Sequence, residues 1–151
     1  MILVRKARAE DIPFLHEFNL RLAKETEDIE LDREHLEKGL KALFADPFKG
    51  QYFVAEDADK KEVVGCLSVT YEWSDWRNGT VWWMQSVYVN HTHRKKGVFR
   101  LMFDDIMKRV NDNPSIRGLR LYADKSNAAA HKTYEAMGMN GDHYRVFEIM
   151  K

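Results

Sequence analysis

The segment from Val81 to Ala123 constrains the fold more than any other. Val81-Trp82-Trp83-Met84-Gln85-Ser86-Val87-Tyr88-Val89 is a long run of β-branched and aromatic residues, and it reads as a central strand. A polar link, Asn90 to Lys96, leads to Gly97. From there Val98, Leu101, Met102, Ile106 and Val110 fall on one helical stripe, with Asp104, Asp105, Lys108 and Arg109 on the other side. Asn113-Pro114 stops that helix, and Leu119-Arg120-Leu121-Tyr122-Ala123 reads as the next strand. Such a succession buries its apolar faces by laying the helix on a sheet. The expected fold class is therefore α/β, a mixed sheet flanked by helices.

The flanking segments extend this pattern. Ile2 to Ala7 reads as a short strand, and Ala9-Glu10-Asp11-Ile12-Pro13 opens a helix with acids and a proline in its first turn. Phe14, Leu15, Phe18 and Leu22, then Leu36, Leu40 and Leu43-Phe44, recur at helical spacing, which predicts two amphipathic helices separated by a solvated acidic bend, Glu25 to Glu30. Tyr52 to Ala55 and Val63 to Val69, joined by the turn Glu56 to Lys61, predict a hairpin, and Arg77-Asn78-Gly79-Thr80 a further turn. Asn127 to Met137 is expected to be helical, Gly138 to end that helix, and Tyr144 to Met150 to form a last strand.

A chain of 151 residues suits one domain, 1–151. Lys and Arg total 24 and are balanced by 24 Asp and Glu, which removes any global field for nucleic acid or an acidic membrane, so a basic site must be local. No apolar run approaches the ~18 residues that a membrane helix needs. The amino end turns charged too early for a signal peptide, and the lone Cys66 excludes an internal disulfide framework. A cytoplasmic protein without nucleic-acid or membrane partners is expected.

The link before the long helix carries the chemistry. His91-Thr92-His93-Arg94-Lys95-Lys96-Gly97 takes a strand straight into a helix, where main-chain N–H groups, the positive end of the dipole and nearby cations together form an anion site suited to a pyrophosphate. Gly97 permits close backbone approach. A solvated basic loop is the competing reading of the same charge run. Neither a Walker loop nor the glycine fingerprint of a dinucleotide fold is present.

At these residues the sequence resembles the GNAT superfamily of acyl-CoA-dependent N-acetyltransferases, whose strand-to-helix turn reads Arg/Gln-x-x-Gly-x-Gly/Ala. Arg94-Lys95-Lys96-Gly97-Val98-Phe99 matches the Arg and the central Gly, and departs at Phe99. A second match is Asn127-Ala128-Ala129-Ala130-His131-Lys132-Thr133-Tyr134-Glu135-Ala136-Met137-Gly138-Met139, against Asn-x-x-Ala-x-x-x-Tyr-x-x-x-Gly-Phe/Met. Read as structure alone, Asn127 is an N-cap, Ala130, Tyr134 and Met137 a buried stripe, and Gly138 a C′ residue. The resemblance implies acetyl-CoA as acyl donor. The backbone of Val87, Tyr88 and Val89 would pair with the pantetheine arm, and amides from about Lys95 through Lys96, Gly97, Val98 and Phe99 to Arg100 would hold the pyrophosphate. It further implies that Asn127 contacts the arm and that Tyr134 protonates the departing thiolate, a proton transfer that a phenol of pKa ~10 can serve.

The acceptor amine must lose a proton before it attacks. Polyamine acetyltransferases, which Thr70 to Val89 resembles more loosely, carry a carboxylate on the central strand where this chain has Gln85. An amide is no base, so the expectation passes first to Glu72, which adjoins the end of the preceding strand and is the catalytic candidate beside Tyr134, and after it to Asp75 or to water. Tyr71, Trp73, Trp76, Trp82 and Trp83 with Glu72 and Asp75 form an aromatic and acidic mixture suited to a small cationic amine, and at least one of Trp82 and Trp83 is expected in the core. Trp73, Asp75, Trp76 and Gln85 are thus the substrate-side candidates. Cys66 reads as a small buried hydrophobe, and His91 and His93 lack a third ligand at metal spacing, so no metal is expected. A protein N-terminus or lysine as acceptor, and a non-catalytic acyl-CoA sensor, are the alternatives. A homodimer is expected from the exposed edges of such sheets.

Overall fold

The computed structural model describes residues 1–151, which divide into two compact units, Met1–Arg120 and Leu121–Lys151. The first unit holds a five-stranded sheet in the order β1-β2-β3-β4-β5, with β1 Ile2–Lys6, β2 Gln51–Asp57, β3 Glu62–Ser74, β4 Gly79–Val89 and β5 Ile116–Arg120. Neighbours from β1 to β4 pair antiparallel, and β5 joins β4 in parallel. Helices α1 (Ile12–Glu27) and α2 (Arg33–Ala45) join β1 to β2, and α3 (Val98–Asp112) makes the crossover from β4 to β5. The expected mixed α/β sheet flanked by helices is the fold observed.

Strand alternation assigns the two faces. Leu15 and Phe18 of α1 and Leu40 of α2 pack with Tyr52, Val54, Cys66 and Tyr88, a buried cluster whose ring pair Phe18–Tyr88 has centroids 5.0 Å apart. On α3, Val98, Met102, Phe103, Ile106 and Val110 are the buried stripe, and Arg109 lays its guanidinium over the Phe53 ring. Trp82 is buried against Phe53 and Tyr71 while its neighbour Trp83 is only half-buried, as alternation requires.

Three sequence boundaries move. β3 does not stop near Val69 but continues to Ser74, because Thr70 to Ser74 find partners on Gly79 to Trp83 across the turn. β5 starts at Ile116 and ends at Arg120, earlier than the apolar run suggests. Its ladder with β4 begins at Thr80 opposite Ile116, just after the turn in which Ile116 N–H meets Asn113 O, and ends at Trp83 opposite Arg120, although β4 itself continues to Val89. The last strand expected at Tyr144 to Met150 does not form: the segment has no strand partner, and without a ladder extended backbone is not a strand.

In the second unit, α4 (Ala128–Ala136) starts as the sequence reads. Asn127 Oδ1 accepts the Ala130 N–H at 3.1 Å, and Gly138 closes the helix at φ 89°.

Candidate active site

The site starts as a defect in the sheet. Cys66 faces Tyr88 and Ser68 faces Gln85, so Leu67 alone on β3 opposes Ser86 and Val87 on β4. Ser86 takes φ 50°, the left-handed conformation that accommodates this bulge. Parallel pairing of β4 with β5 runs only from Thr80 to Trp83. Along Met84 to Val89, therefore, no β5 residue satisfies the main-chain groups that point away from β3, and an extended amide-bearing chain finds there the partners of a missing strand.

The strand then enters the expected turn. A 3₁₀ turn, His91–His93, is followed by Lys95 at φ 61° and Gly97 at φ 78°, and the first helical bond of α3 is Leu101 N–H to Gly97 O. Amides at the amino end of α3 thus precede any intrahelical partner, and the left-handed residues turn neighbouring N–H groups toward one concavity. A Cβ added at Gly97 would meet no heavy atom within 4 Å, so the concavity is open. A pyrophosphate fits these donors.

The cations around it are mostly engaged. Arg94 donates from Nε to Val89 O at 2.9 Å, pairs with Glu25 at 2.6 Å, and lies over the Tyr88 ring. Lys96 Nζ donates to Thr92 O, and Arg100 pairs with Asp104. Lys95 stands in no ion pair, so main-chain N–H groups supply most of the directed donors and the side chains supply a positive field. The Phe99 ring packs on Phe103 one turn along the helix, centroids 6.2 Å apart.

Sequence reasoning missed Glu25. One oxygen of its carboxylate pairs with Arg94, and the other accepts the Tyr88 hydroxyl at 3.3 Å, which ties α1 to both β4 and the turn. No local pattern announces this, since the partners lie 63 and 69 residues away. The acidic bend of the sequence reading is solvated only beyond this residue.

The substrate-side candidates scatter. Glu72 pairs with Arg120 at 2.8 Å and sits opposite Val81, five residues and about 16 Å of strand from the Ser86 bulge. Asp75 lies in the tip of the β3–β4 hairpin, where its Oδ1 accepts the Trp76 N–H. Trp73 and Trp76 are 66% and 93% exposed, so they form no enclosed aromatic cage. Gln85 lies beside the bulge and donates to Thr70 Oγ1 at 2.6 Å. Tyr134 belongs to the second unit, on α4, where burial raises its phenol above the ordinary value. Cys66 is fully buried, and burial pushes its thiol up to about 12. No group of three His, Cys, Asp or Glu could hold a metal ion, and no helix is long and apolar enough to cross a membrane. A cavity of about 300 Å³ opens on the other side of Glu25, against α1 and the link to α2.

Comparison with known proteins agrees with this geometry. Residues 13–139 match the Acetyltransferase (GNAT) family. The crystal structure of a possible acetyltransferase from Clostridium difficile 630 is similar at 43% identity and a TM-score of 0.93, covering 100% of this chain and 98% of that one. An acetyltransferase from Clostridium acetobutylicum, crystallised with acetyl-CoA, shares the fold at 19% identity and a TM-score of 0.76, with 98% and 96% covered. Glucosamine-6-phosphate N-acetyltransferase from Arabidopsis thaliana shares it at 17% identity and 0.73, with 100% and 99% covered. No curated protein sequence matches. A sheet bulged and splayed at β4 and opening onto a glycine turn is thus joined to a match over most of the length, and the chain belongs to the GNAT family of acetyl-CoA-dependent N-acetyltransferases.

Proposed function

We propose that the protein transfers the acetyl group of acetyl-CoA to a primary amine of a small molecule by direct attack within a ternary complex. The observation that carries this reading is the edge of β4 from Met84 to Val89, which β5 does not pair, where Arg94 takes Val89 O, and which leads through the His91–His93 turn to the open position at Gly97. In it the main chain of Val87 to Val89 pairs with the pantetheine arm, amides from Lys95 to Arg100 hold the pyrophosphate, and the Asn127 amide contacts the arm. Both compact units act as one domain, because the family match runs from 13 to 139 through the boundary at Arg120.

The ammonium of the acceptor first loses a proton to solvent water. Glu72 is engaged by Arg120 and distant along the strand, and Asp75 stands at the hairpin tip, so neither is the base in this reading. The amine nitrogen then forms a bond to the acetyl carbon, the carbon–sulfur bond breaks, sulfur leaves with its electron pair, and the acylated nitrogen gives up its second proton to solvent water to become the neutral amide. Tyr134, kept protonated by burial, gives its proton to that thiolate and regains one from solvent. An acyl-enzyme on Cys66 is disfavoured, since the thiol is buried and stays protonated at neutral pH. We place the protein in the cytoplasm, acting as a homodimer.

An acceptor screen tests the reading: purified protein, acetyl-CoA and a panel of primary amines, with free thiol release followed. Amine-dependent release above acetyl-CoA hydrolysis is expected. Tight coenzyme binding without release for small amines, peptides or lysine-rich proteins identifies a sensor, and release with proteins alone moves the acceptor to that class.

A further inference from the structure

We propose that the cavity between α1 and the link to α2 is the acceptor pocket, and that it takes an amine bearing a second, anionic group, the anion on Arg33 and the ammonium facing Glu25. This rests on the acetyl-transfer reading above. The cavity holds about 300 Å³, at the small end of ligand sites, which suits a molecule of amino-acid size.

Charge bookkeeping selects the ligand. Arg21 is paired with Glu17 at 2.9 Å, Lys24 with Asp28 at 2.7 Å and Glu30 at 3.5 Å, and Glu25 with Arg94 at 2.6 Å. Arg33 is the lining cation in no ion pair. It is the first residue of α2, so the positive end of that helix adds to its charge, and Glu34 beside it is taken by Lys38. A ligand that is only cationic would leave this guanidinium unanswered and bring a like charge beside it. A carboxylate or phosphate would accept its forked donors. Leu20, Ile29 and Leu31 supply apolar wall, and Ile29 and Leu31 are exposed in the cavity's absence of a ligand-sized cover.

The floor leads to the chemistry. Glu25 accepts the Tyr88 hydroxyl at 3.3 Å, and Tyr88 stands two residues beyond the Ser86 bulge. Glu25 also holds Arg94 of the coenzyme turn, so one carboxylate borders both partners of the reaction.

The test uses full-length protein and two matched pairs of probes, L-leucine against 3-methylbutylamine and glucosamine 6-phosphate against glucosamine. Saturation-transfer NMR in the presence of coenzyme A reads binding without turnover. At least one anionic probe is expected to bind tenfold or more tighter than its partner. The leucine pair reports a carboxylate site and the sugar pair a phosphate site. Arg33→Gln should bring the preference to within twofold, and Arg33→Lys should restore part of it. Equal affinity within both pairs, binding by neither anionic probe, or a preference that survives Arg33→Gln overturns the proposal. Calorimetry with acetyl-CoA on the same samples reports separately on the donor site: loss of that binding alone overturns the acetyl-transfer reading and leaves the anion preference standing.

Discussion

Gly97 holds a φ of 78° in open space, and that combination separates strain from function. A side chain there costs ~1 kcal/mol of left-handed backbone but clashes with nothing. Gly97→Glu should therefore fold, lose a few degrees in Tm, and bind coenzyme A at least tenfold more weakly by calorimetry, since its carboxylate projects toward the phosphates. Unchanged affinity would remove the phosphates from this turn. Tyr134→Phe deletes only the hydroxyl, so kcat should fall ~10²-fold with the KM for acetyl-CoA nearly unchanged. A kcat within twofold of the parent, with chemistry limiting, would make Tyr134 a packing residue. The sequence proposes roles for both residues because glycine and tyrosine stand at fixed steps in short motifs. It proposes none for Glu25, whose partners Tyr88 and Arg94 are brought near only by the fold.

Elements were legible where hydrophobic period alone sets them and illegible where a partner does. α1, α2 and α3 follow their apolar stripes, and α4 starts at its Asn127 cap, although its Ala130, Tyr134 and Met137 are only partly buried rather than the buried stripe that the spacing predicts. The extension of β3 to Ser74 and the early end of β5 depend on what lies across the ladder, which residues 70–74 and 119–123 do not state in their own composition. The join between β1 and α1 illustrates an interaction that composition could not announce. Arg5 on β1 donates to both oxygens of Asp11, at 2.8 and 3.0 Å, and its Nε reaches Glu56 on β2 at 2.6 Å. Burial of Asp11 opposes its ionisation, but the Arg5 guanidinium and the Arg8 N–H outweigh it and hold the carboxyl below the ordinary value. The folded state thus keeps Asp11 ionised to lower pH than the unfolded chain does. Its stabilisation is complete above pH ~4 and is lost as pH falls through the lowered native value. Asp11→Asn should cost ~3 kcal/mol at pH 7, read as a shift of the urea midpoint, because it leaves Arg5 partly buried without its main partner. The difference from the parent should shrink as pH falls through that lowered native value, and a pH-independent difference would mean that packing rather than charge is lost.

At the scale of the whole molecule, the fold class was readable from the sequence, since a strand, a basic turn, a helix and a strand admit few arrangements. The aromatic and acidic cluster of the sequence opens out at the hairpin tip, with Trp73 and Trp76 exposed, while an open cavity of about 300 Å³ lies at α1, α2 and their link, which no local pattern in the sequence announces. The carboxyl-terminal segment poses the assembly question. Tyr144, Val146, Phe147, Ile149 and Met150 are all exposed, Ile149 completely, on a stretch with β-forming composition and no strand partner. So much apolar surface on one short segment exceeds what scattered exposed residues explain, and β1 and β5 are free-ended edges of the sheet that can accept a strand from a second copy. Light scattering should therefore give a mass near twice the 17.8 kDa of the chain, and removal of residues 143–151 should halve it while the helical circular-dichroism signal persists. A monomeric parent, or a truncated protein that still dimerises, would show that this segment is not what joins the copies.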